Sequence, residues 1–270
     1  MAAESGTPSA SAAEIPNTAR MYDYYLDGKD NYAADREAAE QVLANAPEIR
    51  RVAVENRAFL GRVVGFLAGE AGIQQFIDIG TGLPTRGNVP EIALEAAPGA
   101  RVVCVDHDPV VCAHARALLP GAGNVEVVEA AMEDPGAILS NPAVTGQIDF
   151  SRPAAVLFFS VLHFADDASR IVRAFREAMA PGSYLALSHG VAAQVPGGSG
   201  RASQVRQIYG RSDSPRGAFR TREEVLALFD GFELVTPGLV PVADWRPSRA
   251  TSAAGRTWLL GGLGRKPDRP

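Results

Sequence analysis

Two carboxylates and one imidazole stand at places in this sequence where chemistry could be done. Asp78-Ile79-Gly80-Thr81-Gly82 closes the apolar run QFIDIG (75–80), and Asp106 closes the run RVVCVD (101–106). Two glycines one residue apart allow a tight turn and let a ligand approach the backbone closely. An acidic side chain ending the next strand, 24 residues beyond Gly82, is placed to accept hydrogen bonds from both hydroxyls of a ribose. Each carboxylate has a plainer reading. Asp78 would cap the turn that follows it, and Asp106 would cap the next helix, although Asp108-Pro109 fills that role better and leaves Asp106 free. His163, in SVLHF after a fourth apolar run, is a candidate general base toward a hydroxyl or amine, or a residue that only lines the site. His189 ends a fifth run and could face the same cleft, whereas His114 sits inside a helical stretch. No pair of histidines has metal-ligand spacing, so no metal is expected.

These groups need a scaffold, and the chain supplies a regular one. Short apolar runs at 75–80, 101–106, 125–130, 154–161 and 183–188 alternate with helical stretches Val89–Ala97, Pro109–Leu119, Pro135–Leu139 and Asp167–Met179. Nearly continuous β-branched runs suit strands covered on both faces. Strand, helix, strand, repeated, predicts right-handed crossovers and a doubly wound α/β sheet, mostly parallel. The runs at 232–235 and 257–265 are joined by too short a connection for a crossover helix and are expected to form an antiparallel edge. Thr221–Phe229, with Glu224 at the capping-box position, is read as the helix before them. In a parallel doubly wound sheet, ligands lie beyond the carboxyl ends of the strands, where Asp78, Asp106 and His163 all fall.

Ahead of this unit, residues 1–16 read as a disordered tail and 17–72 as a helical cap or lid, with 73–270 as the ligand-binding domain and 190–218 as a mobile Gly/Ser/Arg/Pro-rich insertion. The aromatic segment Tyr22–Tyr32 either packs as an ordinary helix or folds over a ligand with Tyr25, Lys29 and Asn31 facing the site; its Gly-Lys-Asp-Asn turn favours the lid. Trp245 and Arg246 either stack as a cation–aromatic pair or wall an acceptor pocket.

With 270 residues, 46% hydrophobic and 21% charged, the chain can bury a core without disulfide or metal. A formal charge of −5 gives no support for a nucleic-acid or anionic-membrane partner. Of the 26 basic residues only Lys29 and Lys266 are lysine. The two cysteines, Cys104 and Cys112, lack CxxC spacing and suit a reduced, cytoplasmic setting. The amino terminus has neither a basic nor an apolar signal region, and no run reaches the roughly 18 apolar residues of a membrane span. No apolar stripe is left over from the core to mark a subunit interface.

The strand–DxGxG–helix–strand–Asp succession resembles the class I S-adenosylmethionine-dependent methyltransferases. The likeness narrows through NTARMYDYYLDGKDNYAADREAAE, RAFLGRVVGFLA, FIDIGTGLPTRGNVPEIA, VVCVDHDPVVCAHARALL, VLHFADD, YLALSHG and LVTPGLVPVADWRP. Together these segments, in order from about Asn17 onward, resemble one family of uncharacterised methyltransferases found mostly in actinobacteria, formerly a domain of unknown function. The resemblance implies a Rossmann-like fold and S-adenosyl-L-methionine as cofactor. Asp78, Gly80, Thr81 and Gly82 would then hold the methionine moiety and Asp106 the ribose. His107 would sit beside the adenine, Ala131, Met132 and Asp134 would border its ring, and Ser160 would complete the cofactor set. Ala131 stands where the family pattern has an acidic residue, so the contact to the adenine amino group would pass to Asp134 or to the backbone. No (Asp/Asn)-Pro-Pro-(Tyr/Phe) sequence follows the fourth strand, so amide N-methylation of nucleic acid or protein is not implied. The activity implied is methyl transfer to a small molecule. A non-catalytic adenosylmethionine-binding regulator and, behind it, a nicotinamide-dependent oxidoreductase are the alternatives. Thr85 and Pro84 disfavour the latter, since they stand where a dinucleotide fold needs glycine and a helix start.

Overall fold

The computed structural model describes residues 13–85, 87–119, 123–191, 198–212, 219–247 and 257–268. Strands β1 (Gln75–Ile79), β2 (Arg101–Asp106), β3 (Val125–Glu129), β4 (Ala155–Phe159) and β5 (Tyr184–Gly190) form the parallel part of the sheet. Two-residue strands follow, β6 (Glu233–Leu234) and β7 (Val240–Pro241), and then β8 (Leu259–Arg265). The order is β3-β2-β1-β4-β5-β8-β6, with β7 also on β8. Strand β8 runs antiparallel to β5 and to β6, so the expected antiparallel edge is formed by the last strand inserted beside the outermost one.

The apolar runs divide by parity, because successive side chains of a strand point to opposite faces. Phe76, Val102, Cys104, Leu157 and Ala186 meet Phe59, Leu60 and Val63 of a long helix on one face. Ile77, Val103, Val156, Phe158 and Leu187 meet Ile171, Val172 and Phe175 on the other. Each buried Val, Leu, Ile or Phe among them contributes about 1.5–3 kcal/mol of hydrophobic stabilisation. The first parity also carries Asp78, Asp106 and Ser188 toward the amino-terminal helices, and the second carries His189 away from them.

The helices are α1 (Thr18–Tyr25), α2 (Ala33–Asn45), α3 (Ile49–Gly65), α4 (Val89–Ala96), α5 (Pro109–Leu118), α6 (Pro135–Ser140), α7 (Pro142–Gln147), α8 (Ala168–Ala178), α9 (Gly198–Tyr209) and α10 (Arg222–Ala227). Their starts carry the expected side-chain caps: Asn17, Asn88, Asp108, Asp134, Asn141, Asp167 and Thr221 each accept from a backbone N–H of the first turn. Helix α3 passes into a single wider turn at Phe66–Glu70.

Helices α1–α3, called the cap below, are fastened by a buried polar network. The fully buried Asp35 carboxylate accepts from the backbone N–H groups of Asn17 and Tyr32, each at 2.8 Å, and from Arg20 Nε at 2.7 Å. Arg20 and Asn17 also reach the carboxylate of Asp108, in the turn after β2. Every oxygen of this buried pair is thus engaged, which is what makes such a pair tolerable in a low dielectric.

Two expectations change. Residues 198–209, read within a mobile insertion, form helix α9, which buries Ala202 and Val205 against the cap; the flanking segments 192–197 and 213–218 lie outside the described residues. The polar Lys29 turn closes on itself: the Asp23 carboxylate accepts from the Asp30 N–H and from Asn31 Nδ2. Of the tail, residues 1–12 lie outside the described residues, and the Ile15 carbonyl accepts from Arg20 Nη2. No helix among the described residues is long and apolar enough to cross a membrane.

Candidate active site

A cleft of about 420 Å³ opens where the carboxyl ends of β1, β2, β4 and β5 meet the cap and α9, within the size range of small-molecule sites. It brings together Asp78, Gly80, Thr81, Gly82, Asp106, His107, Ala131, Met132, Ser160, His163 and Tyr25.

Glycine is required at the first turn. Gly80 has φ +69°, and a Cβ there would run into the Val161 side chain of the neighbouring strand end; Gly82 has φ +66°. Asp106 lies against this turn. Its Oδ2 accepts from the Gly82 N–H at 2.9 Å and its Oδ1 from the Asp108 N–H at 3.1 Å. Asp78 Oδ2 accepts from Thr81 Oγ1 at 2.7 Å. Burial pushes the Asp78 carboxyl up to about 6, against the Thr81 hydroxyl and the Arg57 guanidinium, which pull it down. Burial raises Asp106 as well, opposed by its two backbone donors.

At the end of β4, Ser160 takes φ +54°, an uncommon conformation for a residue with a side chain. Its N–H donates to Ser188 Oγ at 2.9 Å, and Ser188 Oγ donates to Asn56 Oδ1 at 2.6 Å. Asn56 Nδ2 in turn donates to Tyr22 OH at 3.0 Å, so one chain of polar contacts runs from the cap to this strand end. Just beyond, His163 Nδ1 is buried with no hydrogen-bond partner among the described residues. Burial, with His189 and Arg220 nearby, holds His163 well below the ordinary imidazole range, so it is neutral.

Three residues assigned to the site lie elsewhere. Lys29 is exposed and outside the cleft, and Asn31 is turned onto Asp23 and the Gly28 carbonyl. Asp134 is exposed, does not line the cleft, and caps α6 through the Ala137 N–H. His189 is buried away from the cleft. Its Nδ1 donates to the Gly190 carbonyl while Nε2 accepts from Arg220, and burial lowers it to about 4. Trp245 is fully buried between Phe59 and Phe66, and Arg246 stacks over Phe66 at 4.1 Å, so this pair packs the cap and does not line the cleft. Among the described residues no three His, Cys, Asp or Glu side chains converge as a metal site.

Sequence reasoning missed Arg57 of α3. It lines the cleft beside Asp78, donates from Nη2 to Thr85 Oγ1 at 2.6 Å, and leaves a buried Nε without a partner among the described residues. A lone arginine on an amphipathic helix carries no signal of its own.

A sheet ordered in this way, with an acid–Gly-x-Gly turn on β1 and a buried aspartate ending β2, fits a class I methyltransferase-type fold. The sequence profile of the S-adenosyl methyltransferase family matches residues 6–267, so the chain belongs to that family and S-adenosylmethionine is its cofactor. A crystal structure from Thermobifida fusca YX, named as a candidate methyltransferase, is 42% identical over 96% of this chain and 98% of that one, with a TM-score of 0.89. A DUF574 family protein from Streptomyces avermitilis MA-4680 is 39% identical over 94% and 99% of the two chains, with a TM-score of 0.87. An O-methyltransferase family protein from Burkholderia thailandensis shares the fold at 18% identity, over 82% of this chain and 60% of that one, with a TM-score of 0.54. No functionally curated protein matches the sequence.

Proposed function

We propose that this protein transfers the methyl group of S-adenosylmethionine to a small-molecule nucleophile. The observation that carries the reading is the pair of buried carboxylates, Asp78 and Asp106, beside a glycine turn open to the cleft. Burying two anions is costly unless a cation or hydrogen-bond donors meet them, and a cationic ligand bearing a ribose supplies both. The cofactor, when bound, supplies an electrophilic methyl group on a sulfonium. Asp106 accepts from the ribose hydroxyls, Asp78 faces the ammonium, and the turn N–H groups and Gly80 allow close approach. His107 and Met132 border the adenine, with Ala131 leaving that contact to the backbone. Much of the rate in such a displacement comes from alignment, which a rigid strand-end turn provides.

Arg57 completes the amino-acid end of the site. Its unpartnered Nε and its position beside Asp78 fit the cofactor carboxylate, as Asp78 fits the ammonium. Arg57→Ala is expected to weaken S-adenosylhomocysteine binding by tenfold or more and to leave 5′-methylthioadenosine, which lacks the amino-acid group, within twofold. Equal losses for both ligands would remove Arg57 from this role.

The test of the function itself is parallel calorimetric titration with S-adenosylmethionine, S-adenosylhomocysteine and NADH. Micromolar binding of the two adenosyl ligands with NADH silent is expected, followed by turnover in an acceptor screen. NADH binding, or silence from all three, would sink the reading. Adenosyl binding without turnover of any acceptor would favour the regulatory alternative.

A further inference from the structure

The cleft has two chemically distinct halves. The polar half over β1 and β2 is accounted for by the cofactor. The other half, formed by the ends of β4, β5 and β8 with α9, is walled by Tyr25, Phe164, Tyr209, Phe219 and Trp258. Their rings are fixed against one another: Phe164 meets Tyr209 edge-on at 5.8 Å, Phe219 meets Trp258 at 5.5 Å, and the Tyr25 and Tyr209 hydroxyls are 3.2 Å apart. Gly190, at the end of β5, lies beneath the Phe219–Trp258 pair, where a Cβ would come within 2.8 Å of Phe219.

Among the described residues on these elements Arg206 is the one formal charge lining the cleft, and it is exposed at the rim. Asp23, on the cap, is already engaged by Asn31 and the Asp30 N–H. Two buried polar atoms in this half have no partner among the described residues, His163 Nδ1 and Trp258 Nε1. Buried polar atoms are paired in the great majority of cases, and these two orphans belong to residues that line the cleft, unlike Trp245 Nε1, which is orphaned away from it.

We propose that this half is a subsite for an uncharged aromatic acceptor bearing a ring hydroxyl, stacked among these rings with its hydroxyl on His163 Nδ1. The inference rests on the methyltransferase reading above. A flat ring fits aromatic walls through offset and edge-on contacts, and a charged acceptor would find no buried counter-ion there. In the tautomer protonated on Nε2, His163 presents Nδ1 as the acceptor of the hydroxyl proton. As the oxygen–methyl bond forms, the sulfur–methyl bond breaks and leaves its electron pair on sulfur. The hydroxyl proton passes to His163, so one positive charge moves from the sulfonium to the imidazolium and then leaves to solvent. A weakly basic imidazole serves here because the oxygen becomes strongly acidic only as it is alkylated.

Binding of 2-naphthol, 2-naphthoate and the saturated 2-decalol, measured by calorimetry with and without saturating S-adenosylhomocysteine, tests the subsite. Wild-type protein is expected to bind 2-naphthol at least tenfold tighter than either control. His163→Ala is expected to lose about tenfold in 2-naphthol affinity, and Trp258→Phe, which keeps the ring and removes the indole N–H, severalfold. Both variants should bind S-adenosylhomocysteine within twofold of wild type, which also reports that they fold. Equal affinity for 2-naphthoate or 2-decalol, or unchanged 2-naphthol affinity in both variants, overturns the proposal. Binding of S-adenosylhomocysteine without 2-naphthol removes the subsite alone, and 2-naphthol binding without S-adenosylhomocysteine removes the cofactor reading alone. Failure of both ligands to bind removes both.

Discussion

Replacing Asp78 by Asn is expected to raise the melting temperature of the cofactor-free protein at pH 8 while weakening its affinity for S-adenosylmethionine at least tenfold. The carboxyl is pushed by burial from 3.8 to about 6. Between those values the folded chain holds a proton that the unfolded chain has lost, so stability falls as pH rises through the window and stays low above it. Two pKa units correspond to about 3 kcal/mol. In a chain of this size that is roughly 5–10 °C in melting temperature. Asparagine keeps an acceptor for Thr81 Oγ1 and carries no charge to bury. The gain should vanish below about pH 4, where the aspartate is protonated in both states. Cofactor affinity of the wild-type protein should run the other way, rising with pH through about 6 as the carboxylate that meets the ammonium forms. Melting curves and titrations at pH 4, 6 and 8 check both signs. A lower melting temperature for the variant at pH 8 would sink the account of Asp78 as a group strained by its own burial.

Asp106→Ala is expected to cut adenosylmethionine affinity by on the order of a hundredfold or more, since two hydrogen bonds from ribose to a carboxylate contribute about 1.5–3 kcal/mol each. The fold should survive at a cost of about 1–3 kcal/mol, because the Gly82 and Asp108 N–H groups lose their acceptor. Calorimetry gives the first quantity and urea unfolding the second. Unchanged affinity in a folded variant would end the ribose assignment. Comparing adenosine with 2′,3′-dideoxyadenosine on the wild-type protein isolates the hydroxyls themselves.

The strands, the glycine turn and the place of Asp106 at a strand end were legible because each leaves a local trace: a β-branched run, a glycine at a positive φ, an acid closing an apolar run. The helices between Thr18 and Gly65 were legible from their spacing, but the face they turn inward was not. Lys29 and Asn31 look like ligand-facing residues in an aromatic segment, yet that turn spends its polar groups on Asp23. Helix α9 left little periodic trace, since the buried Ala202 and Val205 are small and stand among glycine, serine and arginine. Arg57, Asn56 and Arg220 were invisible for another reason. Their partners are Thr85, Ser188 and His189, on distant elements, so nothing within reach in the sequence announces them. His189 could have been placed by counting parity from Leu187, because alternate residues of a strand share a face and Leu187 packs on the side away from the cap.

The contacts that finish the cleft span long stretches of chain. Asn17 meets Asp108 across 91 residues, and Tyr25 meets Tyr209 across 184. Chains leave the ribosome amino terminus first, and distant contacts wait for their partners to be made. Helix α1 is therefore synthesised well before the partners it docks on. A nascent chain arrested before Tyr209 would already carry the glycine turn and both carboxylates, but the wall that separates a bound ligand from water would still be missing.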